Sequence, residues 1–306
     1  MKLFPRTRQR RLVALLAPSL VAALALTAAP PVAGQDPGRS EKRASKARVS
    51  TWAPAKRARI TPGVMMYTAG AQCTANFVFT DALGGVYVGY SAHCAGEGAA
   101  TDTNGCEVGS LPLGTEVDFV RGGSFVSNGT RRATGTLAYS SWLAMDQAGT
   151  TDEATCAFND FALVKVRKRD ISKVNPTVPF FGGPTGIDKN GTRSGERVYS
   201  YGNSSLRAGI SLLSPKTGLA LGDVPSDEGW SHEVYTATPG IPGDSGSGFM
   251  TDKGKAVGTL STVAISPFPL SNQTGDLLRE LKFAQANSGI PGLRLAQGTK
   301  RFSGNS

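Results

Sequence analysis

Ser245 stands in Gly240-Ile241-Pro242-Gly243-Asp244-Ser245-Gly246-Ser247-Gly248-Phe249, a run dense in glycine. Glycine permits backbone shapes that a Cβ forbids, so the amides around the hydroxyl can converge on one point. Converging amides stabilise the oxyanion that forms when a hydroxyl attacks a carbonyl. A serine needs a base for that attack, most commonly a histidine. The chain has two. His93 ends an apolar segment in Tyr90-Ser91-Ala92-His93-Cys94, and His232 sits in Trp230-Ser231-His232-Glu233, where it reads as a surface or strand-edge residue. Taken singly, each piece has a plain structural meaning: a turn with an exposed serine, or a histidine that packs.

Their order narrows the chemistry. No histidine follows Ser245, which excludes the Ser…acid…His order of α/β-hydrolases, and Ser247 breaks the Gly-x-Ser-x-Gly elbow. The order His, Asp, Ser remains. Asn159-Asp160-Phe161-Ala162-Leu163-Val164-Lys165-Val166 supplies the acid, at the mouth of an apolar strand where a carboxylate can orient an imidazole.

The elements that must position these groups read as short strands. They are Val64 to Tyr67, Cys73 to Phe79, Val86 to Tyr90 (after a turn at Asp81 to Gly85) and Thr115 to Val120. Gly135 to Tyr139, Phe161 to Val166, Arg197 to Tyr201, Glu233 to Ala237, Gly248 to Thr251 and Ala256 to Val263 continue the series. One helix is predicted, at about Gly275 to Asn287, with Thr274 or Asp276 at its start, an apolar stripe of Leu277, Leu278, Leu281 and Ala284, and Gly289 as a stop. Many strands and few helices argue for an all-β barrel or sandwich. Gly182 to Gly195, rich in Gly, Pro and Asn, is a possible boundary between halves.

The net charge of +10 over 306 residues is confined to one end. Residues 1–60 hold 13 Lys/Arg against two acids, a net +11, while the other 246 hold 20 against 21, a net −1. A near-neutral folded part argues against nucleic acid as its partner. Residues 1–34 read as a signal peptide: a basic start, an apolar Leu12 to Leu26, and Val32-Ala33-Gly34 as a cleavage site. Residues 35–61 read as a basic disordered leader or pro-segment. Export makes the protein secreted, with no membrane association afterwards. In that setting Cys73, Cys94, Cys106 and Cys156 suggest disulfides, for which three pairings exist. No metal-ligand cluster is evident.

Ser-Ala-His-Cys at 91–94, Asn-Asp-Phe-Ala-Leu-Val at 159–164 and Gly-Asp-Ser-Gly-Ser-Gly at 243–248 resemble the three catalytic blocks of the chymotrypsin/trypsin-like serine proteases, above all the secreted bacterial type. The resemblance covers roughly residues 62–290, leaving 291–306 as a tail. It implies two six-stranded antiparallel β-barrels ending in a helix, with the site at their interface. It implies His93 as general base, Asp160 as its orienting acid, Ser245 as nucleophile, and the amides of Gly243 and Ser245 as the oxyanion hole. The family has a bridge beside the catalytic histidine, so Cys73–Cys94 is implied, and Cys106–Cys156 with it. Ser261 resembles the strand residue that pairs with substrate backbone. Pro239, Gly240, Thr262 and Val263 fall around the specificity pocket, whose depth depends on Ile265 to Thr274. Because Pro239 stands where trypsin-like members carry an aspartate, Lys or Arg should not be preferred. Asp244 should be satisfied internally rather than by a new amine at Ile60. The reading is thus a serine endopeptidase acting on protein or peptide, without cofactor and as a monomer. The alternative is an exported non-catalytic binding protein on a protease-like barrel.

Overall fold

The computed structural model describes residues 51–304, apart from 100, 101, 125, 224 and 264–269. The expected signal peptide (1–34) and the first part of the expected leader (35–50) therefore lie outside the described residues. No helix among those described is long and apolar enough to cross a membrane.

The chain up to residue 166 builds one antiparallel sheet. Its strands are β1 (Met65–Thr68), β2 (Ala71–Thr74), β3 (Val78–Thr80), β4 (Val86–Tyr90), β5 (Glu116–Arg121), β6 (Thr130–Ser140) and β7 (Ala162–Val166). Strand β6 alternates buried Ala133, Leu137 and Tyr139 with half-exposed neighbours, as a strand with one wet face does. Strand β4 is buried at all five positions, which its unbroken apolar run requires. The segment read as one strand from Cys73 to Phe79 is two, because the backbone breaks pairing at Ala75–Phe77 between β2 and β3.

After a long connection the chain forms a closed six-stranded barrel in the order β10-β13-β12-β11-β8-β9. These strands are β8 (Arg197–Tyr201), β9 (Pro215–Asp223), β10 (Ser231–Thr236), β11 (Gly248–Thr251), β12 (Ala256–Val263) and β13 (Asn272–Asp276). The first sheet has eight strands in the order β14-β3-β4-β7-β6-β5-β1-β2, with β14 (Arg294–Leu295) added from the far end of the chain.

Three helices accompany the strands among the described residues: α1 (Ser141–Ala148), α2 (Glu153–Phe158) and α3 (Leu277–Asn287). Asp276 caps α3 by accepting from the Arg279 amide, and of the expected stripe Leu277, Leu281 and Ala284 are buried while Leu278 is half-buried. The three buried residues join Phe77, Phe79, Phe161, Leu163, Tyr199 and Met250 in one cluster that welds the sheet to the barrel.

Two boundaries differ from the sequence reading. Residues 51–61, read as disordered leader, are packed: Ile60 is fully buried, and the Ala53 and Arg59 amides donate to Val174 and Lys173. Backbone pairing with 173–175 and the apolar side chains of Trp52 and Ile60 outweigh the surrounding charge. The tail 291–306 is likewise part of the fold as far as residue 304, since Leu293 is buried and the Ala296 amide donates to Val78. Cys73–Cys94 and Cys106–Cys156 are both bonded, with Cα separations of 6.2 and 5.2 Å.

Candidate active site

His93 sits in the 3-10 turn Ala92–Ala95 that follows β4. Asp160, fully buried, lies just ahead of β7, the neighbour of β4 in the sheet. The pairing of Tyr90 with Ala162 thus brings the two residues together. Asp160 Oδ2 is 2.6 Å from His93 Nδ1, and its Oδ1 accepts the His93 backbone amide at 2.8 Å. Two anchors from one carboxylate fix both the ring and the backbone that carries it. Burial opposes charge on the imidazole, but the Asp160 carboxylate outweighs it, so the His93 pKa lies above its ordinary value. Burial pushes Asp160 up, and its His93 and Ser261 partners more than reverse this, holding it below the usual carboxylate range. The Cys73 and Cys94 sulfurs lie within 4.8 Å of the His93 ring, but they are joined in a disulfide and offer no thiolate to a metal.

Ser245 belongs to the loop between β10 and β11 and is half-exposed, while Asp244, Gly246 and Ser247 around it are buried. Several bonds tie this loop to the His93 side. The Ser245 carbonyl accepts the Thr74 amide at 2.8 Å, and Thr74 adjoins Cys73, the partner of Cys94. Leu260 O accepts both the Gly246 amide at 2.7 Å and the Ser91 hydroxyl at 2.9 Å. A Cβ at Gly246, where φ is +87°, would stand 2.5 Å from Thr74 O and 2.9 Å from Ser91 N, so only glycine allows this approach. The structure has no hydrogen bond between His93 and Ser245 themselves.

The amides of the loop divide sharply. Those of Asp244, Gly246 and Ser247 donate to Ile241, Leu260 and Asp244. Those of Gly243 and Ser245 donate to no group among the described residues. Gly243 holds φ at +95°, a conformation that L side chains rarely adopt. Ser247, in place of a second glycine, is buried without disturbing its neighbours' ladder bonds, for Leu260 N still donates to its carbonyl at 2.9 Å.

Asp244 is satisfied internally, as expected. Its Oδ2 lies 2.5 Å from Arg207 Nη2 and 2.8 Å from Lys216 Nζ, and its Oδ1 accepts the Ser204 amide. The Ile60 amide is already bonded to Lys173. Lys216 is wholly buried and also donates to Pro239 O at 2.8 Å. Burial pulls its ammonium below the usual lysine range; Asp244 opposes this and Arg207 adds to it. Nothing in the sequence Ser214-Pro215-Lys216-Thr217-Gly218 marks a buried cation.

The remaining expected residues fall into two groups. The Ser261 hydroxyl donates to Asp160 Oδ2 at 2.6 Å, a role for the side chain that its likeness to a backbone-pairing residue did not foretell. The register shift between Leu260 and Thr262 leaves Ser261 at a bulge in β12. Gly240 donates to Asn272 Oδ1 at 2.6 Å and faces Leu260 and Val263, while Thr262 and Val263 are half-buried. Of Ile265 to Thr274, the stretch that would set the pocket's depth, residues 265–269 lie outside the described residues. His232, read as a surface or strand-edge residue, is instead buried on β10, with Nε2 2.8 Å from Asp276 Oδ2. β10 pairs on both sides in the closed barrel, so it has no edge. Glu280, which the sequence reading passed over, is fully buried on α3 and accepts from Thr259 Oγ1 at 2.9 Å. Burial keeps it well above the ordinary glutamate range; the Thr259 bond opposes this and the charges of Asp160 and Asp276 add to it.

No family model and no curated protein matches this sequence. Solved structures do. Thermobifida fusca protease A aligns with 78% of this chain and 99% of its own, at 15% identity and a TM-score of 0.46. A protease from Nocardiopsis aligns with 77% of this chain and 98% of its own, at 16% identity and a TM-score of 0.42. A glutamic-acid-specific serine protease, described as using a histidine triad in substrate binding, aligns with 78% of this chain and all of its own, at 16% identity and a TM-score of 0.43.

Proposed function

We propose that the protein is a secreted serine endopeptidase that hydrolyses peptide bonds through an acyl-enzyme. Ser245 attacks the scissile carbonyl while His93 takes its proton, and His93 then returns that proton to the leaving amine. Water hydrolyses the ester with His93 again as base. Asp160 fixes the tautomer that presents the free ring nitrogen to Ser245 and stabilises the imidazolium. The observation that carries the reading is the pair of unspent amides at Gly243 and Ser245. They flank Asp244 in a stretch where the amides of Gly240, Ile241, Asp244, Gly246 and Ser247 are all engaged, beside a histidine already held by a buried carboxylate. A binding protein has no use for that combination.

Labelling with a fluorophosphonate tests it. The wild type is expected to react once per chain at Ser245, and Ser245→Ala and His93→Ala to lose both label and turnover. Triad members act as a unit, so each variant should retain only about 10³–10⁴ over water. An alanine at Ser245 with undiminished turnover would refute the assignment.

A further inference from the structure

A concavity of about 740 Å³ lies outside the triad. It is walled by residues 55–61, by the edge of β5 and β6, by the 177–182 connection and by the end of the chain at 300–303. Seven of its lining residues are cationic: Lys56, Arg57, Arg59, Arg121, Arg132, Lys300 and Arg301. None is acidic. No ion pair or side-chain hydrogen bond among the described residues engages any of the seven, and all but Arg132 are exposed. Like charges gathered without counter-charge destabilise a fold unless a ligand of opposite sign answers them. Phe180 adds an aromatic face at the same wall, 53% exposed and held at φ +69°. A phenyl ring kept exposed in a disfavoured conformation is poorly explained by folding alone.

We infer that this groove is an exosite that docks an acidic stretch of the protein substrate, an inference that rests on the endopeptidase reading. Two observations choose a peptide over other polyanions. The first is continuity with the candidate site: Asn203 and Gly63 line the groove and are joined by a hydrogen bond of 2.8 Å. Gln72 Nε2 then donates both to Asn203 O at 3.3 Å and to Gly243 O at 3.0 Å. A chain leaving the oxyanion loop at Gly243 is one side chain away from the groove. The second is where the positive charge stops. Setting aside the four groove cations at 121, 132, 300 and 301, residues 61–306 carry 16 Lys/Arg against 21 acids. A duplex or a membrane that extends past the groove meets repulsion beyond its rim; a single acidic strand lying within it does not.

The test compares two peptides with the same cleavable sequence, one extended by oligoglutamate and one by oligoserine, with the extension at either end. The wild type should cleave the glutamate form with kcat/KM about tenfold higher, through KM. The advantage should vanish between about 0.01 M and about 1 M salt, as the screening length falls from about 30 Å to about 3 Å. The triple variant Arg57→Glu, Lys300→Glu, Arg301→Glu should lose it while cleaving the oligoserine peptide as the wild type does. The corresponding glutamine triple should fall between. Equal cleavage of both peptides by the wild type, or an advantage that survives the triple variant, overturns the exosite. So does displacement of labelled oligoglutamate more readily by duplex DNA or by phosphatidylserine vesicles than by unlabelled peptide. Binding of labelled oligoglutamate, read by fluorescence anisotropy, separates the two claims: salt-sensitive binding without hydrolysis of either peptide refutes the protease reading and leaves the groove's ligand standing.

Discussion

Asp244 shares a wholly buried site with two cations, and that asymmetry makes a sharp prediction. The side chains of Asp244 and Lys216 are fully buried, and that of Arg207 is 7% exposed. Asp244→Asn would leave two cations facing each other without a carboxylate, and stranding buried charge costs about 3–5 kcal/mol. Lys216→Met instead leaves Arg207 and Asp244 as a balanced pair. What it forfeits is the Lys216 bond to Asp244 and the one to Pro239 O, and an orphaned carbonyl costs about 1–3 kcal/mol. Removing an ammonium that burial already disfavours offsets part of this. Asp244→Asn should therefore be the more damaging by about 2 kcal/mol, a factor of about 30 in the folded-to-unfolded ratio. Urea unfolding followed by tryptophan fluorescence measures it, best in a Ser245→Ala background to prevent self-digestion. If Asp244→Asn were no less stable than Lys216→Met, the charge accounting of this cluster would be wrong.

Further expectations follow from the same geometry. The proposed base His93 can act only when neutral and its pKa is raised, so kcat/KM on an uncharged substrate should climb with pH through a midpoint above the ordinary value of 6.5; a midpoint below 6.5 would contradict the Asp160 pairing. The pair's contribution to stability should fade as pH falls through the lowered Asp160 pKa and again as it rises through the raised His93 pKa. Glu280 keeps its proton in the folded state above the pH at which the unfolded chain releases it, so stability should decline with pH across that interval. Glu280→Gln should abolish this slope while leaving the fold intact, and parallel pH–stability curves for the two proteins would count against a protonated Glu280. Gly246→Ala should cost both folding and turnover, because its methyl group meets the backbone at Thr74 and Ser91; a variant that melts like the wild type would show that the seam yields.

The sequence spoke clearly where one residue type carries one physical demand. The apolar run Val86 to Tyr90 and the alternation ending at Tyr139 could be little but strands, and both are. His93 and Asp160 were legible because each stands at the end of such a strand, and the adjacency of β4 and β7 does the rest. What stayed hidden depends on partners distant in the chain. Strand β9 runs Pro-Lys-Thr-Gly-Leu-Ala-Leu-Gly-Asp, with two glycines and a wholly buried lysine, and closes the barrel through neighbours rather than through its own pattern. Strand β13, Asn-Gln-Thr-Gly-Asp, has no apolar side chain and is buried at all but half-buried Gln273 because β10 and β12 flank it. Basic residues at 56, 57 and 59 masked the anchoring of Ile60 in the same way.

Asn175 accepts a quieter responsibility. Its Nδ2 donates to Ala53 O at 2.7 Å and to Thr299 Oγ1 at 2.9 Å, and its amide donates to Ile60 O. One side chain in the link between sheet and barrel therefore buttons down both extremities of the described chain. The polypeptide is topologically linear but mechanically a ring, and Asn175 closes its seam together with Thr177 and the backbone bonds of Lys173 and Val174. A circularly permuted chain, with residue 304 spliced to residue 51 by a flexible linker and new ends opened in an exposed turn such as the one at Leu83, would hold both extremities covalently and depend less on those bonds.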